Sequence, residues 1–364
     1  MTALNQESVQ NALKNYIDPY LQKDLVAAKC VKNIAIADSK VTLDIELGFP
    51  CQSQQQTLID NLKAKVSALD GVSEVNVTLH HRIVSHAAQR GVEHIKGVKN
   101  IIAVASGKGG VGKSTVSVNL ALALAAEGAT VGILDADIYG PSQPRMLGVR
   151  LEKPESADGK TFEPVMSHNL QAMSIGFLID EETPMIWRGP MVTQALEQLL
   201  RDTQWRDLDY LIIDLPPGTG DTQLTLAQKI PVSGAVIVTT PQDISLIDAR
   251  KGLKMFEKVQ VPVLGVIENM SIHICSKCGH EEHIFGTGGG GRLADEQDVD
   301  FLGSLPLDKQ IREDADGGKP TVAADPNGRI SQLYRDIALR TAAKLSQQAK
   351  DFSARFPTIK IVSN

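Results

Sequence analysis

Two rhythms of apolar residues divide the chain. In the first, short elements of different kinds follow one another. Val9, Leu13 and Tyr16 recur at helical spacing, and that pattern stops near Asp18-Pro19. Two strands come next. In the second, Val41, Leu43, Ile45 and Leu47 alternate with polar residues, so one face is expected to be buried. Asp38-Ser39-Lys40 supplies a hairpin turn between the two strands. Leu58, Leu62, Val66 and Leu69 mark a second helix, with Gly71 as its C-terminal cap. Val75, Val77 and Leu79 mark a last strand. These elements predict a small α+β domain over residues 1–85, and polar residues 86–98, with two glycines, read as a linker.

The second rhythm begins at residue 99. Continuous apolar runs at 101–105, 131–134, 211–213, 235–238 and 263–267 alternate with helical stretches. Uninterrupted apolar strands separated by helices predict a parallel sheet covered on both faces. The fold class is therefore α/β over 99–364, preceded by the small α+β domain. Ile330, Leu333, Tyr334, Ile337 and Leu345 predict a last helix over 330–347 that packs on the sheet. Its polar face has no lysine-rich stripe of the kind that seeks a membrane.

Bulk properties narrow the partners. A formal charge of -6 gives no general attraction for polyanions, so neither nucleic acid nor an anionic membrane is expected. No run of eighteen apolar residues is present to span a bilayer. The opening MTALNQESVQ lacks the basic and apolar regions of a secretory signal, so a cytoplasmic setting is expected. Four cysteines are too few for a disulfide framework, and two of them lie three positions apart, which suits ligand or redox use in a reducing compartment.

The first chemical centre is Gly107-Lys108-Gly109-Gly110-Val111-Gly112-Lys113-Ser114-Thr115. It satisfies G-x-x-x-x-G-K-[ST], between the strand at 101–105 and a helix from about 114 to 127. The glycines let backbone amides turn inward as an anion nest, and the helix N-terminus adds positive potential. Lys113 is expected to reach the β- and γ-phosphates of ATP, and the Ser114 hydroxyl to ligate Mg²⁺. Asp135 and Asp137 leave the end of the next strand, where ligands of α/β sheets sit. Such carboxylates hold Mg²⁺ or orient the attacking water, and the two roles can be exchanged. Tyr210-Leu211-Ile212-Ile213-Asp214 has the apolar-then-acid form of a second Mg²⁺ group, Asp214. Pro216-Pro217-Gly218-Thr219-Gly220 follows as a segment that can sense a γ-phosphate.

The second centre is Cys275-Ser276-Lys277-Cys278-Gly279-His280. The spacing lets two thiolates converge on one metal or cluster, half of a four-cysteine site. Spacing alone leaves four readings open: half of an iron–sulfur site completed by a second copy, a zinc site with His280 and His283, a redox pair, or unliganded thiols.

Resemblance adds to this. A second lysine near the start of the loop, Lys108, marks the deviant Walker A subgroup, which includes the nitrogenase iron protein, the MinD-type positioning ATPases and the Mrp/ApbC carriers. The strings ASGKGGVGKST, DADIYGPSQPRMLG, WRGPM, DLPPGTGD and ENMSIHICSKCGHEEHIFGTGGG resemble the Mrp/ApbC signature across 99–345. That resemblance implies an ATP-hydrolysing homodimer in which Lys108 reaches the partner's nucleotide and acts as a trans counterpart of an arginine finger. Lys108, Lys113 and Asp137 are then the catalytic residues, with Asp137 positioning water and Asp135 on the Mg²⁺ side. Asn269, at the end of the strand at 263–267, is the family's adenine-reading position, and an asparagine amide can pair with adenine N6 and N7. Cys275 and Cys278 would hold a [4Fe–4S] cluster across the dimer, received from an upstream assembly scaffold and delivered to apo-proteins. Competing readings within the superfamily are a positioning ATPase of MinD or ParA type and a reductase component like the nitrogenase iron protein.

The front domain resembles the PaaD-like cluster-assembly domain. Asp18-Pro19 and Pro50-Cys51 fit its pattern, whereas Tyr20 stands where an acidic residue is expected. Cys51 is a cluster-handling candidate there, and Cys30 and Cys51 otherwise read as small packing residues. The residues 288–291, all glycine, read as a flexible loop, and Pro190 of Trp187-Arg188-Gly189-Pro190 fits the first turn of a helix.

Overall fold

The apolar runs of the second rhythm occupy the middle of one sheet. The computed structural model describes residues 4–89, 92–179 and 189–351. Its front unit contains α1 (Gln6–Lys14), β1 (Val31–Ala37), β2 (Lys40–Leu47), α2 (Gln55–Ser67) and β3 (Glu74–His81). The strands pair in the order β1-β2-β3, antiparallel then parallel, so α2 is a crossover helix. The hairpin turn is Asp38-Ser39, with Asp38 in the left-handed region that short hairpins need. The alternation in β2 buries Val41, Leu43, Ile45 and Leu47 against Leu58, Leu62 and Val66 of α2. Tyr16 falls beyond the end of α1 rather than on it.

The large unit continues with β4 (Val98–Ala105), α3 (Lys113–Ala126), β5 (Val131–Asp135), α4 (Gln143–Met146), β6 (Val165–Ser167), β7 (Leu170–Ser174) and α5 (Gly189–Asp202). Then come β8 (Leu208–Asp214), α6 (Asp221–Lys229), β9 (Gly234–Thr239), α7 (Asp243–Lys258), β10 (Val263–Glu268), β11 (His273–Ile274), β12 (Glu281–Glu282), α8 (Gly289–Glu296), β13 (Phe301–Ser304), α9 (Lys309–Asp316), α10 (Thr321–Ala324) and α11 (Arg329–Ser346). Eight strands form one sheet in the order β13-β10-β9-β4-β8-β5-β7-β6, parallel except at β6. Strand order reverses around β4, which places its carboxyl end, and the loop that follows, at a topological switch point. Helices α3 and α11 pack on each other, and α5, α6, α7 and α8 contact one another in succession.

Two sequence expectations change here, and a third holds. Residues 86–98 are not a free spacer: His86 and Ile95 are buried, and Asn100 Oδ1 accepts from the His86 backbone N–H at 3.0 Å. His86 also bridges to Lys350 just beyond the last helix. The glycines at 288–291 cap and begin α8 instead of forming a loop, because Glu268 Oε2 accepts the Gly290 N–H at 2.5 Å and pins that helix start. Pro190 does stand in the first turn of α5, whereas Trp187 and Arg188 lie outside the described residues.

The front unit is seated on the C-terminal end of α3. Glu127, fully buried, caps that end, where a carboxylate has the wrong sign for the helix dipole. Arg335 of α11 compensates it at 2.7 Å, and the Ser53 N–H donates to its other oxygen at 2.8 Å. The Gln52 N–H donates to the Glu127 carbonyl, and Gln347 bonds both Leu21 and Lys23 of the front unit.

Candidate nucleotide site and cysteine hairpin

β4 runs straight into the glycine loop and α3 begins at Lys113, so the loop's geometry is that of the anion nest. Three glycines are required there, Gly110 by its φ of +81°. A Cβ on Gly107 would meet the Asp248 backbone at 2.1 Å, and Gly112 has φ +80° with the Asn269 amide 2.3 Å from where a Cβ would stand. Gly109 and Gly110 are exposed, Val111 is buried, and Ser114 and Thr115 open the first turn of α3.

Behind the loop, Lys113 Nζ donates to Asp214 Oδ1 at 2.5 Å and to Ser114 Oγ at 3.2 Å. Ser117 Oγ also donates to Asp214 Oδ1, at 2.8 Å. β5 and β8 are neighbours with Asp135 opposite Asp214 in register, so the two carboxylates stand side by side. Asp135 Oδ2 accepts from the Ser142 and Gln143 N–H groups and from Ser174 Oγ. Burial, and then the Asp214 charge, push Asp135 well above the ordinary carboxylate range. Burial also raises Asp137, with Lys113 opposing it. The three predicted acids therefore converge on one end of the sheet with Lys113 and Ser114.

Lys108 is half-buried and has no carboxylate within ion-pair distance among the described residues. Asn269 is buried, and its amide donates to the Val111 carbonyl at 2.8 Å, so it braces the phosphate loop from β10. Two groups in this network carried no weight in the sequence reading: Ser117 and Gln143. Ser117 stands one helical turn after Lys113, a spacing that could have marked it.

The cysteines lie apart from this network, on the β11–β12 hairpin. The Cys275 N–H donates to the His280 carbonyl at 2.9 Å, and the Gly279 N–H, from a residue with φ +72°, donates to the Cys275 carbonyl at 2.8 Å. That turn aims the Lys277 and Cys278 amides at the Cys275 sulfur. Together with the Cys278 thiol they hold the Cys275 thiol below its ordinary range. Cys275 is half-buried and Cys278 exposed. His283 does not join them: its Nδ1 pairs with the Ser271 carbonyl at 2.9 Å. Among the described residues no group of three or more His, Cys, Asp or Glu side chains is placed to hold a metal ion. Cys51 has a different setting, buried against the Glu127 cap. Burial first, and the Glu127 charge second, push its thiol up to about 12.

A family model described as the NUBPL iron-transfer P-loop NTPase matches residues 97–342. The chain belongs to this family. It is a P-loop ATPase and an iron–sulfur cluster carrier. A second model, an iron–sulfur cluster assembly protein, matches residues 6–79 of the front unit. The iron–sulfur cluster carrier protein of Escherichia coli K12 is 52% identical, with 94% of this chain and 93% of the relative covered. The mouse iron–sulfur cluster transfer protein NUBPL is also 52% identical, over 69% of this chain and 79% of its own. Among solved structures, a nucleotide-binding protein in complex with ADP from Archaeoglobus fulgidus is 38% identical with a TM-score of 0.54, covering 61% of this chain and 88% of that one. The cell division ATPase MinD of Pyrococcus furiosus, 22% identical with a TM-score of 0.50, covers 66% of this chain and 97% of its own and shares the fold. Among the described residues no helix is long and apolar enough to cross a membrane.

Proposed function

We propose that two copies of the chain close around ATP, hold one [4Fe–4S] cluster on Cys275 and Cys278 of each copy, and pass it to apo-proteins. The hairpin carries this reading. It presents two outward thiols, one with its thiolate form favoured, and the described residues of one chain place no third ligand beside them. A second copy is the simplest source of the missing pair.

In the nucleotide site, Lys113 exchanges Asp214 for the β- and γ-phosphates, and the inward amides of residues 107–115 cradle them. Lys108, without an ion pair among the described residues, reaches the nucleotide of the second copy. Asp137 orients the attacking water, and Asn269 reads adenine. The donor set of Ser114, Asp135 and Asp214 is all hard oxygen and suits Mg²⁺. Two buried polar atoms beside it, the Ser142 hydroxyl and Gln143 Oε1, have no partner among the described residues, as expected of a site built for a further group. When bound, Mg²⁺ neutralises charge on the phosphates. ATP influences the cargo by binding one arrangement of the dimer better than the other. The similarity to the ADP complex and to the cluster carriers supports both halves of this reading. The front domain, 1–85, joined through 86–98 to the ATPase domain, 99–364, would meet upstream scaffolds in the cytoplasm.

Anaerobic reconstitution, followed by counting iron, sulfide and zinc, tests the proposal. About four irons and four sulfides per dimer are expected. One zinc per chain would overturn it.

A further inference from the structure

Gln143 is the first residue of α4 and 1% exposed. Its backbone N–H donates to Asp135 Oδ2 at 3.0 Å. Its side-chain amide donates to the Ser114 carbonyl at 3.1 Å and to Asp214 Oδ2 at 3.0 Å. One residue thus ties the segment after Asp137 to the start of α3 and to the end of β8. Both amide protons are used, but Oε1 is buried and has no partner. Exchanging the amide's oxygen and nitrogen does not help. It would turn Oε1 towards a carbonyl and a carboxylate, two acceptors, so the orientation is fixed by its neighbours.

A buried carbonyl acceptor left unmet is costly to the folded state. The group that satisfies Oε1 must be a donor. The hydrogen-bond partners of Gln143, namely Ser114 O, Asp135 and Asp214, are acceptors, and so are phosphate oxygens; the adjacent Ser142 hydroxyl could donate but makes no bond to Oε1. Mg²⁺ dehydrates reluctantly and keeps several waters, which are strong donors. We infer that Gln143 is a positioning residue of the Mg²⁺–nucleotide site, its Oε1 accepting a hydrogen bond from the cation's hydration shell while its amide holds Asp214. The inference rests on the Mg²⁺ reading above. It makes α4 responsive to the cation specifically, since phosphates alone offer Oε1 nothing.

The test measures binding of a fluorescent ADP analogue to the full chain, with Mg²⁺ and with EDTA, for wild type, Gln143→Met and Gln143→Glu. Met fills similar volume without polar atoms, and Glu keeps acceptor oxygens while losing the donors. Wild type should bind about tenfold or more tighter with Mg²⁺, the range of a charge-assisted hydrogen bond. That Mg²⁺-to-EDTA ratio should fall about fivefold or more in Gln143→Met and fall less in Gln143→Glu, which still offers the cation's waters an acceptor although its second oxygen faces the Ser114 carbonyl and Asp214 and lowers affinity under both conditions. A Gln143→Met protein that keeps the ratio overturns the inference alone. So does equal loss of binding in both variants with and without Mg²⁺, which would make Gln143 a purely structural brace. A wild type indifferent to Mg²⁺ overturns the cation reading as well.

Discussion

Around Lys113 almost every polar atom has a partner inside the chain, whereas Cys275 and Cys278 face outward on a two-residue-stranded hairpin. The nucleotide site is over-determined: β4, β5, β8 and β10 each deliver a residue to it, and Asp214 alone accepts from Lys113, Ser117 and Gln143. The hairpin is under-determined, with one short ladder and two free thiols. A site that binds an exchangeable small molecule gains from being preformed. A site that must receive and surrender cargo gains from accessibility and from ligands that are complete only in an assembly. On the proposed reading, the same chain keeps its chemistry for nucleotide inside and its chemistry for iron at the rim.

The sharpest way to break this comparison is to alter the hairpin alone. Cys275→Ser or Cys278→Ser removes a soft ligand from each copy. Reconstituted iron should fall from about four per dimer to near none, the stoichiometry of one shared cluster. ADP affinity, measured by calorimetry, should stay within about twofold of wild type if the two regions are separately built. Joint loss of both would show one site, not two.

Thiol reactivity offers the next largest contrast. Thiolate is the nucleophile, so a thiol raised to about 12 is almost wholly protonated at pH 8, while the lowered Cys275 is not. In the cluster-free protein, mass-spectrometric timing of iodoacetamide labelling should find Cys275 modified on the order of 1000-fold faster than Cys51. Comparable rates would mean that the front unit does not stay seated on α3.

On the nucleotide side, Lys113→Ala removes a charge-assisted contact to phosphate and should weaken ATP binding about 100-fold. Iron loading should be unaffected. Lys108→Ala is the smallest and most discriminating change. Hydrolysis should drop by about tenfold or more, as for a trans-acting cation, with ATP affinity of the isolated chain retained. If both lysine variants lose binding equally, Lys108 belongs to its own chain's cradle.

Much of this was legible in the sequence because the signals were local. The glycine loop, the apolar strands that precede Asp135, Asp214 and Asn269, and the cysteine spacing all sit within a few residues of what they specify. Short strands such as β6, β7 and β13 left no comparable trace, since three to five residues cannot display a period. Contacts distant in sequence were hidden altogether. Nothing near Gln143 announces Asp214, which lies 71 residues away. Nothing near Arg335 announces Glu127, 208 residues back. Polar composition at 86–98 misled because the His86 backbone and Nδ1 bond Asn100 in a buried place. The segment looks solvent-seeking only while its partners are unknown.

The Glu127 cap has a mechanical side. α3 is 14 residues long, so about 21 Å separate its two ends. Lys113 begins it at the phosphates, and Glu127 closes it against Gln52, Ser53 and Arg335. A helix of four turns, buried along most of its length, moves as a rod rather than bending. To whatever extent phosphate at the loop changes how firmly the front unit sits on that rod, the seating of the front unit must change the loop's affinity for phosphate by the same factor.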